Sequence, residues 1–199
     1  TSKQTAKEMA EAVDFYGAYL KTEVTHDESS LSIYTLNKHL DKTIGTLAEA
    51  YADSIFPQRE LETHLMKSGQ EMMVSMEKVS YLGAKAFSAS LYGTDHPYGR
   101  TANTEDFSAV DRDGLAAFHG TYIKNKIKYI IISGKLAKNT IPNLNKRFGQ
   151  DARETPVAAN NAVDISGSND IHMEKADAVQ NSIKIGRILF NRTHKDFIG

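Results

Sequence analysis

Leu40, Ile44, Leu47, Tyr51 and Ile55 recur at intervals of four, three, four and four residues, and Phe56-Pro57 then halts the run. That spacing lays five apolar side chains on one stripe of a 3.6-residue helix. A proline removes a backbone donor and drives the residue before it away from helical angles. The chain must therefore fold around at least one amphipathic helix with a hard stop. A second helical pattern opens just beyond, where Leu61, Leu65, Met72, Met76 and Val79 share a stripe and Met66 and Met73 lie beside it. Gly69 interrupts this helix at a cost of roughly 1 kcal/mol relative to alanine, which predicts close approach by another backbone.

The remaining pattern alternates helix and strand. Met9, Val13, Tyr16 and Leu20 predict a helix stopping near residues 17–20. LKTEVT (20–25) and LSIYTLN (31–37), joined by the polar HDESS, predict an antiparallel hairpin. A further helix from about residue 81 to 92 ends at Gly93, ahead of the loop TDHPYGRTANTED. Asp111 can cap a helix bearing Leu115, Phe118 and Tyr122, and KYIIISG (128–134) reads as a strand buried on both faces. Asn139-Thr140 open a last helix, with Pro142 just inside and Gly149 at its end.

QDARETPVAANNAVDISGSND (150–170) is small, polar and poor in large apolar residues, which predicts a linker. It separates an α+β unit at 1–149 from 171–199, where IHMEK and NSIKIGRILF read as the opening strands of a second domain. Helices outnumber strands and the first pairing is antiparallel. The expected class is thus α+β, an antiparallel or mixed sheet flanked by several helices. The amino end has neither an initiator Met nor an apolar signal core and enters a helical pattern almost at once, so the chain reads as starting in mid-protein, truncated at both ends.

With 199 residues, 40% of them hydrophobic and 25% charged, the chain has the make-up of an ordinary soluble globular protein, and its compartment stays open. A formal charge of -1 without basic blocks argues against nucleic acid or anionic lipid as partner. The longest apolar run, Tyr129 to Ile132, is far too short to span a bilayer, so no membrane is expected. Zero cysteines exclude disulfides and thiolate metal sites, leaving His and carboxylate as the only strong metal donors.

On the second helix His64 and Glu71 stand seven residues apart, within about 20° of two full turns, so both leave the helix in nearly the same direction. Imidazole and carboxylate are competent zinc ligands, but two make only half of a tetrahedral site. Glu60, His64, Lys67, Glu71 and Lys78 also form one polar stripe, and spacing alone favours a solvated face with i,i+4 pairs. His96-Pro97-Tyr98-Gly99 offers a base and a phenol on a loop, yet it is also a run of turn-formers. His26 with Asp27 and Glu28 at the hairpin tip reads as turn chemistry, and His39, His119, His172 and His194 stand alone. Neither HExxH nor HxxEH occurs, nor any GxSxG, GxxxxGK[ST] or GxGxxG.

Taken in order, VDFYGAYLKTEVTHDESSLSIYTL, the Phe56-Pro57 break, the charged helix with Glu71, the HPYG loop, FHGTYIKNKIKYIIISG and the closing FG form a recognisable series. It resembles the inverted-motif zinc metallopeptidases, the pitrilysin, insulinase and mitochondrial processing peptidase family, from residue 1 to about 149. QNSIKIGRILFNRTHKDF (180–197) resembles the first strand of that family's next domain.

The resemblance implies a metallopeptidase-lobe fold and a zinc ion held by the two histidines of HxxEH and a distant glutamate. The matching glutamate is Glu71. Where active members carry a supporting glutamate seven residues earlier, this chain has His64. His96, Pro97, Tyr98, Gly99, Tyr122 and Asn125 match family positions for which the resemblance implies a folding role.

With HxxEH missing, a single carboxylate cannot hold catalytic zinc, and the chain itself is expected to be inactive and metal-free, with zinc belonging to the parent protein. Two origins follow from the resemblance: a fragment of an active peptidase, or part of a non-catalytic partner subunit. A scaffold domain unrelated to proteolysis is the third reading, and it puts Glu71 in solvent away from any cleft, whereas the peptidase-lobe reading puts it on the wall of a cavity facing an opposed domain. Expected partners are a peptide substrate, a sister subunit or, through an uncovered sheet edge, further copies of the chain.

Overall fold

The computed structural model describes residues 1–124, 126, 127, 129–149, 170–191 and 194–197. Contacts divide the chain into two units, one made of 1–63 and 110–157, the other of 64–109 and 158–199.

In the first unit, helix α1 (Ala6–Phe15) opens with a reciprocal cap: the Glu8 amide donates to Thr5 Oγ1 at 3.2 Å, and the Thr5 amide to Glu8 Oε2 at 2.8 Å. It closes where Gly17 turns left-handed at φ +59°, a conformation glycine adopts without a Cβ clash. The Ala18 amide then reaches back to the Val13 carbonyl and the Gly17 amide to that of Asp14, satisfying carbonyls the helix leaves open. Leu20 consequently belongs to the next element rather than to the helical stripe.

Strands β1 (Tyr19–Val24) and β2 (Ser29–Tyr34) form the expected hairpin, antiparallel with Tyr19 opposite Tyr34 and Val24 opposite Ser29. Thr25 shapes the turn: its amide donates to the Glu28 carbonyl at 2.8 Å, and its hydroxyl accepts from the amides of Asp27 and Glu28.

Helix α2 (Leu40–Ala52) carries the regular stripe but stops three residues before Ile55, which is exposed. Its Ile44 packs with Leu144 and Phe148 of α7 (Thr140–Phe148), and Leu40, Ala48, Tyr51, Ile127 and Ile132 surround that core. The polar ends of α7 are tied to α2 as well, since Asn143 Nδ2 donates to Asp41 Oδ1 at 2.5 Å.

The long helix α3 (Gln58–Met76) begins in the first unit and continues into the second. There α4 (Val79–Tyr92) ends at Gly93, φ +78°. The short α5 (Thr104–Ser108) stands within what the sequence marks only as loop. Back in the first unit, α6 (Arg112–Phe118) starts as expected with Asp111 accepting from the Gly114 amide at 2.7 Å, then widens into a π-turn at His119–Ile123.

The class is α+β, but several expectations need correction. KYIIISG is not a buried strand. Residues 129–133 carry no sheet pairing, and Ile131 is 91% exposed, with Ile132 alone tucked against the α2/α7 core. An apolar run can form a strand only where neighbouring strands take its amides and carbonyls, and the two-stranded hairpin is the sheet among the described residues. IHMEK and NSIKIGRILF likewise carry no strand, with Ile183 and Ile185 exposed. Phe118 and Tyr122 also face solvent.

Gly69 has nothing within 4 Å of where a Cβ would stand. The close approach occurs at Gly186 instead, where an added Cβ would lie 2.8 Å from the Phe87 ring. Residues 150–169, nearly all of the expected linker, and Asn125 lie outside the described residues.

Candidate functional site on the long helix

Helix α3 buries Leu61 and half-buries Leu65, Met72 and Met76, and the neighbouring stripe that carries His64, Lys67 and Glu71 is exposed to water. Glu71 is paired within the helix, Oε1 lying 3.8 Å from Lys67 Nζ, with the Glu71 side chain 68% exposed. This is the i,i+4 geometry of a solvated pair, in the less favourable order with the lysine N-terminal. His64 is exposed as well. Two helical turns bring its direction into line with Glu71 but leave about 10 Å between the two Cα atoms along the axis. The shared direction is real, and the reach is poor.

Zinc in a catalytic site needs three protein donors converging on one point with a fourth position left for water. Glu71 faces an ammonium, His64 stands two turns away, and no group of three or more His, Asp or Glu side chains among the described residues is placed to hold a metal ion. Among the described residues the donor set does not fit the ion.

The HPYG loop is tied to itself. His96 takes the Gly99 and Arg100 amides on its carbonyl at 2.9 Å and the Tyr98 amide on Nδ1 at 3.0 Å, while its ring stacks on Tyr92 and meets Tyr98 edge-on. With Nδ1 accepting, the imidazole serves as the hub of a turn. Pro97 is exposed, whereas Gly99 is buried against the Gly93 carbonyl, where a Cβ would stand 2.0 Å away. Tyr122 reaches Phe118 at a ring separation of 5.0 Å and is otherwise open to solvent.

A cluster that sequence spacing did not bring together surrounds the end of α2. The Tyr51 hydroxyl donates to the Ile123 carbonyl at 2.8 Å and accepts from the Lys126 amide at 3.1 Å. His119 Nε2 meets the Tyr51 carbonyl at 2.8 Å, and Arg112 donates to the carbonyls of Ile55 and Phe56. The partners lie more than fifty residues apart, so no local periodicity marks them. The available signal was a helix stop followed, far downstream, by a lone histidine and an arginine opening another helix.

No family model matches the chain. It is 23% identical over 150 residues to an uncharacterized zinc protease of Rickettsia felis, an alignment covering 74% of this chain and 36% of the relative. A similar protein of Rickettsia bellii, also described as an uncharacterized zinc protease, is 22% identical over 138 residues, 68% of this chain and 33% of the relative. Among solved structures, one described as a peptidase M16 inactive domain from Pseudomonas fluorescens superposes with a TM-score of 0.56 at 19% identity, covering 59% of this chain and 29% of that one. The chain thus spans about a third of the length of the curated relatives it matches.

Proposed function

We infer, for a chain whose sequence and fold both ally it with the pitrilysin/M16 family of zinc peptidases, that it is a structural part of a peptidase-family protein and is itself without hydrolytic activity. The observation that carries this reading is the donor set. HxxEH is absent from the 199 residues, and the glutamate matching the third zinc ligand by resemblance stands in solvent on an open helical face, as the scaffold reading also expects, so the likeness to the zinc proteases is what favours the peptidase family over a scaffold. Without the two histidines and the glutamate of HxxEH, the chain lacks the residues by which the family it resembles would hold zinc and take the proton from water. Peptide hydrolysis, zinc and a peptide substrate belong to the parent protein on this reading.

An origin in a non-catalytic partner subunit is favoured over a fragment of an active enzyme by His64, which stands where the resemblance implies a supporting glutamate, and is consistent with the fold-level likeness to a protein described as a peptidase M16 inactive domain. A sister peptidase subunit would then be a partner. The expected division into 1–149, 150–170 and 171–199 remains part of this proposal. Self-association of the chain is supported by the exposure of Val179, Ile183 and Ile185. No helix among the described residues is long and apolar enough to cross a membrane.

Metal analysis combined with a peptide-cleavage assay on the 199-residue chain tests the inference. Substoichiometric zinc, unchanged by Glu71→Gln, and no cleavage are expected. One zinc per chain that Glu71→Gln removes, together with cleavage, would overturn it.

A further inference from the structure

Phe56 sits at φ +46°, in the left-handed region, immediately before Pro57. A bulky aromatic residue is a genuine outlier there, and a following proline independently favours extended angles. Such a conformation persists only where its surroundings over-determine it, and strained residues of this kind cluster at clamps and switches.

The surroundings come from one continuous segment, residues 112–123. Arg112 Nε donates to the Phe56 carbonyl at 3.1 Å, and its Nη2 donates to the Ile55 carbonyl at 3.3 Å, a two-pronged hold on the strained peptide. His119 meets the Phe56 ring edge-on, with centroids 5.3 Å apart, and its Nε2 also holds the Tyr51 carbonyl in the last turn of α2. The start of α6 and the π-turn behind it thus grip the helix end and the break together. The Arg112 side chain is half exposed and also lies 3.6 Å from Asp113, so its hold can be released without opening the α2/α7 core.

We propose that Arg112 and His119 form a latch that keeps the α2–α3 junction in a strained state, and that releasing it lets Phe56 relax to the extended angles Pro57 prefers. The latch does not depend on the peptidase reading, because it uses no metal and no substrate.

Hydrogen exchange of the 199-residue chain, read on peptides covering 53–61, tests it. Arg112→Ala is expected to speed exchange there by about tenfold while peptides covering α7 keep the wild-type rate. Phe56→Gly removes the left-handed penalty, so adding Arg112→Ala in that background is expected to have at most about a twofold effect. If Phe56→Gly fails to fold, Pro57→Ala relieves the pre-proline restriction while keeping the ring, and the same loss of coupling is expected. An unchanged rate in Arg112→Ala, an acceleration spread evenly over the whole chain, or an equal effect of Arg112→Ala in strained and relieved backgrounds would overturn the latch.

Discussion

Lys67 and Glu71 face each other across one turn of α3, 3.8 Å apart, with side chains 73% and 68% exposed. Water screens both charges, and ordering two long side chains offsets what attraction remains, so the pair contributes little to stability. Lys67→Ala is expected to shift the urea midpoint by less than the equivalent of about 0.5 kcal/mol. It should also leave the chain unable to retain zinc through dialysis, since freeing one carboxylate does not supply the missing donors. Zinc retained by Lys67→Ala would show a ligand set that the side-chain positions do not reveal.

Ile44 and Ile131 belong to the same residue type and sit in opposite environments, 3% and 91% exposed. Truncating Ile44 leaves a cavity between α2 and α7, so Ile44→Ala is expected to cost about 2–5 kcal/mol. Ile131→Ala is expected to fall within about 0.5 kcal/mol of wild type, as surface substitutions do. Chemical denaturation of the two variants side by side measures the contrast. A large loss in Ile131→Ala would restore the buried strand.

The Tyr51 hydroxyl has a partner on each side, the Ile123 carbonyl and the Lys126 amide. Tyr51→Phe keeps the ring against Phe148 and removes the hydroxyl's two bonds, while the Lys126 amide still donates to the Ile123 carbonyl at 3.1 Å. A destabilisation of about 0.5–1.5 kcal/mol is expected, and urea unfolding is the measurement.

Gly69 offers a gain. In mid-helix with nothing within 4 Å of a prospective Cβ, it contributes backbone entropy to the unfolded state and nothing to packing. Gly69→Ala is expected to stabilise the chain by about 1 kcal/mol, read as a raised thermal midpoint. A lowered midpoint would mean that something does approach that helix face.

Acid should weaken the start of α1. The Thr5 backbone amide, followed by its hydroxyl, holds the Glu8 carboxyl below its ordinary value, and Ser2 does the same for Asp53. A depressed folded-state pKa adds stability that is complete above the unfolded value. That stability is lost as pH falls from about 4 through the lowered folded-state values. Glu8→Gln is expected to flatten part of that acid limb, measured as denaturation midpoint against pH. An identical limb in both proteins would remove the cap from the balance.

Local order was readable along the chain wherever a few neighbouring residues suffice to define it. The stripe of α2, the Asp111 cap and the hairpin around HDESS each depend on side chains and backbone groups within one or two turns of each other, and spacing records such proximity directly. The place of Glu71 on a polar face was readable for the same reason. Burial was not: Ile131 and Ile132 adjoin in sequence, yet one faces water and the other the α2/α7 core. Hydrophobicity states a preference, whereas a partner surface has to be present to satisfy it.

By itself, the amino-acid order determined that this chain has no thiol chemistry, no HxxEH, a helix broken at Phe56-Pro57 and an α+β make-up, because those properties reside in residue identity and short-range geometry. Only the tertiary structure decided that Arg112 and His119 reach across more than fifty residues to hold that break. It alone put Ile131 in water beside a half-buried Ile132 and left the Cβ position of Gly69 open among the described residues. Contacts of that range depend on how elements meet in space, and residue spacing along one element carries no record of what lies opposite it.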